Sequence, residues 1–195
     1  MNTNTGLITP LWKAERKGAS LFGFSVSEEG KRIALLWSKG DYADIEVRGL
    51  WDGLRQGPET IATQSLSTLQ KGGHGVEIAS KFLFVWSKIG NSSADLEAWD
   101  LDSGQKLWKR VGVQTFRWDS KSESVFALSG KLERLSAADG EVLWSGEAAP
   151  RLVWNVPRTI QIDCENKRLF SASPIARSMR LYDLQSGSLG WEAHY

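Results

Sequence analysis

From residue 20 to the end, runs of 3 to 7 residues rich in β-branched and aromatic types alternate with Gly, Asp, Asn or Ser. Such a pattern predicts short strands punctuated by turns. The runs fall into four sets of four. The first set is Leu21 to Val26, Arg32 to Trp37, Asp44 to Leu50 and Thr60 to Thr63; the second is Gly75 to Ala79, Phe82 to Trp86, Leu96 to Trp99 and Lys106 to Arg110. The third is Gln114 to Trp118, Ser124 to Leu128, Leu132 to Leu135 and Glu141 to Trp144; the fourth is Thr159 to Ile162, Arg168 to Ser171, Met179 to Tyr182 and Leu189 to Trp191. The second run of each set is the least polar (Ile33 to Trp37, Phe82 to Trp86, Val125 to Leu128, Leu169 and Phe170) and is expected to be buried on both faces. No window sustains helical periodicity over three turns, so no helix is predicted.

The sets are copies of one unit. Turn glycines Gly57, Gly104, Gly140 and Gly187 lie 47, 36 and 47 residues apart, and three of them are followed four residues later by Trp108, Trp144 and Trp191. Recurrence at that length marks a stacked array in which neighbours complete each unit's core. Four-stranded units of this size fit an all-β, β-propeller-like array of about four antiparallel blades, a partial or small propeller. The predicted blades span residues 20–64, 65–110, 111–147 and 150–195 of a single domain. Residues 8–17 form a stray outer strand, because Leu11-Trp12-Lys13 matches Leu107-Trp108-Lys109.

The segment Ala98-Trp99-Asp100-Leu101-Asp102-Ser103-Gly104-Gln105-Lys106-Leu107-Trp108 resembles the A-x-D-x-x-T-G-x-x-x-W repeat of quinoprotein-like propellers, with Ser for Thr. Unit four keeps Asp183, Ser186, Gly187 and Trp191; unit three has Ser136 at the Asp position, and unit one has Ile61 at the Trp position. A second resemblance is to WD-repeat propellers, through Trp51-Asp52, Trp99-Asp100 and Gly73-His74. Both imply the same shape. In either, Asp or Ser closes the turn, Gly supplies a positive φ, and Trp packs on the next blade. These are blade-building roles, so Asp52, Asp100 and Asp183 are not a catalytic carboxylate ring.

Composition narrows the function. The formal charge is +1, and residues 1–98 hold 11 basic and 11 acidic groups, so no basic face for nucleic acid or anionic membrane is expected. The start, Met1 to Gly6, carries no signal-peptide pattern, which predicts a soluble cytoplasmic protein. Cys164 is the sole cysteine and lies between Asp163 and Glu165, so its thiol pKa is expected to be raised. With only His74, in a polar loop, and His194, no metal site is expected. Gly72-Gly73-His74-Gly75 lacks the phosphate-cradling P-loop pattern. No catalytic, metal or cofactor-binding residue is assigned, and no cofactor is expected.

Binding is therefore expected through loops. The longer ones are Ser38 to Ala43, Thr63 to Gly75, Ser87 to Ala94, Gly146 to Pro157 and Ser173 to Ser178; they offer Lys39, Tyr42, Lys88, Arg151, Trp154, Arg158 and Arg177 as partner contacts. The leading expectation is a non-enzymatic scaffold for protein–protein interaction. The alternative is a fragment or relative of a quinoprotein-type enzyme or cofactor-binding propeller. Self-association, or a second chain that completes the ring, is the remaining expectation about partners.

Overall fold

Short polar turns and tight hairpins fold each unit into an antiparallel meander. The structure, a computed structural model, describes residues 14–39, 42–51, 54, 62–65, 74–89, 93–147, 159–173 and 177–194. Blade one is β1 (Ser20–Val26), β2 (Arg32–Lys39), β3 (Tyr42–Gly49) and β4 (Ala62–Ser65). Blade two is β5 (His74–Ala79), β6 (Phe82–Ile89), β7 (Ser93–Asp100) and β8 (Lys106–Val113). Blade three is β9 (Thr115–Asp119), β10 (Ser124–Leu128), β11 (Leu132–Ser136) and β12 (Val142–Gly146). Blade four is β13 (Thr159–Asp163), β14 (Arg168–Ser173), β15 (Ser178–Asp183) and β16 (Leu189–His194). Each sheet runs in chain order, first strand to fourth.

Several boundaries differ from the sequence reading. β8 runs on to Val113, past Arg110, because Gly112 takes a positive φ of 80° and Val113 pairs with Ala94. Hairpin strands are longer than their apolar runs. Lys39 and Tyr42 pair with each other as the last residues of β2 and the first of β3, and Lys88 pairs with Ala94 inside β6 and β7. These three are strand-end residues, not loop residues. His74 likewise opens β5 instead of sitting in the preceding loop. The proposed strand at 8–17, Trp12 included, falls outside the described residues except for residues 14–17, which form no strand.

The blades pack face to face through three core clusters. One joins Ala34, Leu36, Ile45 and Val47 to Ile78, Leu83, Val85 and Leu101; the next joins Phe82, Phe84, Leu96 and Trp108 to Phe116, Val125 and Leu135. The third joins Phe126, Leu128 and Leu132 to Ile160, Leu169, Tyr182 and Leu184. No cluster among the described residues joins blade four to blade one. The doubly buried second strand is realised in β10, all of which is buried. It fails in β14, where buried and half-buried residues alternate, because only one of its faces meets another blade.

A repeated contact locks the blades together. In three blades the third strand ends in the same closure: Asp100, Ser136 and Asp183 each donate an amide to the carbonyl five residues on, at 2.9 Å. Gly104, Gly140 and Gly187 donate back to the same residues, also at 2.9 Å, with φ of 69°, 73° and 71°. The Asp100 and Asp183 carboxylates accept the amides of Ser103 and Ser186 at 2.7 Å. Blade three lacks that Asp, and Asp139 substitutes by accepting the amide of Glu141 at 2.9 Å. The preceding blade's Trp then settles on this turn. Trp108 Nε1 donates to Ala137 O at 2.8 Å and its ring covers Gly140; Trp144 Nε1 donates to Leu184 O at 3.2 Å and covers Gly187.

A methyl at Gly140 would lie 2.7 Å from Trp108 Cγ, whereas one at Gly30, with a φ of 66°, would meet nothing within 4 Å. Gly30→Ala is expected to cost about 1–3 kcal/mol from backbone strain alone. Gly140→Ala should cost about 1–3 kcal/mol more, because the indole is pushed off its seat. Urea denaturation of the two variants checks this; equal losses would mean that the turn does not carry the Trp.

Candidate functional site

The meander sorts the connections between two rims. Turns from first to second strand, and from third to fourth, lie at one end of every blade; hairpins from second to third strand, and the links between blades, lie at the other. All four blades share this sense. Ile78 N donates to Ser25 Oγ at 3.2 Å near the ends of β5 and β1. Cys164 Sγ lies 3.2 Å from Asp119 Oδ1 just beyond β13 and at the end of β9. The link from Val113 to Thr115 is one residue long, which holds the same ends of blades two and three together.

The residues expected from sequence to bind a partner belong to the hairpin rim. Lys39 and Tyr42 close the hairpin of blade one, Lys88 stands in the hairpin of blade two, and Arg177 is the exposed turn residue before β15, with a φ of 47°. Arg151, Trp154 and Arg158 lie outside the described residues, in the link whose ends, Gly146 and Thr159, are on this rim. The structure adds Lys131, exposed at the hairpin of blade three. The sequence carried a signal for it: Ser38-Lys39, Ser87-Lys88 and Ser129-Gly130-Lys131 are equivalent, but the third connection is too short to stand out as a loop.

Between blades two and three a cleft of about 280 Å³ is lined by Glu77, Trp86, Ala94, Val113, Gln114, Thr115, Phe116 and Arg117. Trp86 reaches the cleft because it lies against Gly75, where any side chain would collide with the indole. Glu77 on β5 is pushed above the ordinary carboxyl range by burial, and the charge of Arg117 on β9 opposes that rise. Neither residue was singled out from the sequence, since 40 positions separate them and only blade packing makes them face each other.

Groups on the turn rim are accounted for by structure. Asp100, Asp139 and Asp183 are held below the usual carboxylate range by the backbone amides they accept from Ser103, Glu141 and Ser186. Asp52 lies outside the described residues. Cys164 is pushed up to about 11, first by burial and then by the Asp119 carboxylate; Asp163, the neighbour invoked from sequence, acts less. On the opposite rim, where it pairs with Ser178, His194 is exposed, 3.6 Å from Glu192. Among the described residues, no group of three or more His, Cys, Asp or Glu is placed to hold a metal ion.

No protein-family model matches the chain, and no curated protein matches it. Solved structures do. It is similar to BamB from Moraxella catarrhalis, at 14% identity and a TM-score of 0.61 over 88% of this chain and 49% of that one. It is also similar to a chain of the Mitotic Checkpoint Complex, at 9% identity and a TM-score of 0.61 over 98% of this chain and 57% of that one. A third match is quinohemoprotein alcohol dehydrogenase ADHIIG from Pseudomonas putida HK5, at 10% identity and a TM-score of 0.55 over 85% and 33% of the two chains. The fold is a β-propeller. Quinoprotein-like and WD-repeat propellers are both among the matches, as both resemblances implied. The chain spans about half the length of BamB, and likeness at these identities carries the fold alone.

Glu77 gives this cleft a pH signature. Its raised pKa means that the folded chain binds the proton more tightly than the unfolded chain. Its contribution to stability is therefore greatest below the ordinary glutamate range and falls as pH rises through the raised value. Glu77→Gln should make the protein more stable than the parent at about pH 7, with the gap narrowing toward about pH 4. Chemical denaturation at both values checks this; a gap independent of pH would assign the effect to packing instead of charge.

Proposed function

We propose that this chain is a non-enzymatic propeller scaffold that binds a protein partner through its hairpin rim. The observation that carries the reading is the repeat of one cationic residue per hairpin: Lys39, Lys88, Lys131 and Arg177. The net charge is only +1 and Asp41 shares the hairpin of Lys39, so these cations would act on a partner's acidic segment locally and not through long-range attraction. The cleft between blades two and three, with Trp86 and Phe116, offers an apolar seat for one side chain of that segment. The turn rim is the poorer candidate, because its polar groups already serve the turns. The alternative, a quinoprotein-type enzyme fragment, draws only on fold likeness, and a fold does not bring an activity with it.

Charge reversal separates the rims. Lys88→Glu, Lys131→Glu and Arg177→Glu combined should abolish capture of the proteins that the parent chain retains from native lysate. Lys121→Glu with Lys167→Glu, on the turn rim, should leave capture unchanged, and parental capture should weaken as salt rises. If the hairpin-rim variant keeps the same bound proteins, as judged by quantitative mass spectrometry, the rim is not the binding surface.

A further inference from the structure

We infer that the inner strand of blade one, from a second copy of this chain, seats in the open hollow of blade four, and that two copies close head to tail into one ring. The inference is independent of the rim proposal, since the surfaces concerned are the faces that blades turn to one another.

Register defines what each blade offers the blade before it. Val26, Ile78, Trp118 and Ile162 are equivalent, each paired with the second residue of the second strand: Ile33, Leu83, Val125 and Leu169. Two residues earlier stand Phe24, Val76, Phe116 and Ile160. In blades two, three and four these pairs are packed into the core clusters. In blade one Phe24 is 66% exposed and Val26 42%. The outer part of this face is different: Leu35 and Trp37 are buried, and Arg16 holds Asp44 at 3.0 Å. Among the described residues of this face, the exposed apolar ones belong to the inner strand of blade one.

The opposite face has its own equivalences. Phe126, Leu128 and Leu132 of blade three cover Ile160 and Leu169 of blade four. Their counterparts on blade four, by the same pairing, are Phe170, Ala172 and Met179. These line an open hollow of about 630 Å³. Trp191, which matches Trp108 and Trp144, is 50% exposed where they are covered by the next blade's turn.

The chain thus carries both halves of the contact that already joins its blades, one half at each end of the array. That contact is heterologous, so it must close into a ring or propagate. Two copies bring eight blades, within the range at which propellers close, and one copy spans 49% of BamB. A second copy is the occupant that supplies the matching inner strand at the cost of no new recognition chemistry.

Light scattering coupled to size exclusion should give the full chain twice its monomer mass at about 10 μM, a concentration suited to an interface of ordinary size. Phe24→Glu and Met179→Glu, each at an accessible position, should each give the monomer mass with an unchanged far-ultraviolet circular dichroism spectrum. Mixing the two variants should raise the mass only at concentrations well above those at which the parent pairs, because the one junction that unites the unmutated faces lacks the support of a second. A monomeric parent, a mass that grows without limit, or variants that remain dimeric would each overturn the inference. Dissociation by Met179→Glu but not by Phe24→Glu would also overturn it, since that outcome belongs to blade four pairing with itself.

Discussion

A four-stranded β-blade is apolar on both faces and can bury neither alone, so everything in this chain depends on how one blade grips the next. Between blades two and three, and between three and four, the grip is an indole on a glycine turn. Trp108 over Gly140 and Trp144 over Gly187 combine ring area with an indole N–H donated to a carbonyl three residues before the glycine. The flat contact requires a residue without Cβ, and the positive φ of the turn requires the same residue for a different reason. The bulges between Ala98/Trp99, Arg134/Leu135 and Leu181/Tyr182 fall at one position of the repeat, next to the Trp-bearing strand. Turn, bulge and indole are therefore one device, and the rest of each strand has only to supply apolar residues in register.

Because that device sits at the third-to-fourth turn, it commits one rim to architecture. The Asp and Ser side chains there are used up in closing turns, and their lowered pKa values report the amides they accept. The hairpin rim carries no such duty. Lys88, Lys131 and Arg177 vary in loop length and surroundings while the blades beneath stay alike, as expected of a rigid scaffold that bears a variable surface.

What was legible in the sequence was what chemistry writes locally. Strand runs, turn glycines and the Trp positions all rest on residues within one unit, and they gave the four blades and their order. The rest depended on packing across units. Glu77 and Arg117 meet only because blades two and three stack, and the raised pKa of Cys164 owes more to burial and Asp119 of blade three than to its chain neighbour Asp163. The Asp missing from unit three was replaced from within the turn by Asp139, which a fixed motif spacing conceals. Lys131 sits in a connection too short to read as a loop in the sequence, yet a tight hairpin presents a side chain equally well.

Repetition also makes exposed faces easy to recognise, because the covered copies show how the equivalent residues pack elsewhere. The energetics then favour a particular remedy. Burying a large apolar side chain fully is worth about 1.5–3 kcal/mol. The half-exposed residues at one junction, Leu21, Phe24 and Val26 against Phe170 and Met179, therefore bring only a few such increments. Association itself costs about 4–15 kcal/mol in lost translational and rotational freedom. One junction between separate chains is thus marginal. A closed pair forms two junctions for a single loss of freedom, since the second is made within the complex already held by the first. The same argument disfavours an open string, in which every added junction bears the full association cost again. A contact weak enough to need doubling is in this way consistent with a ring of two chains and inconsistent with a longer array.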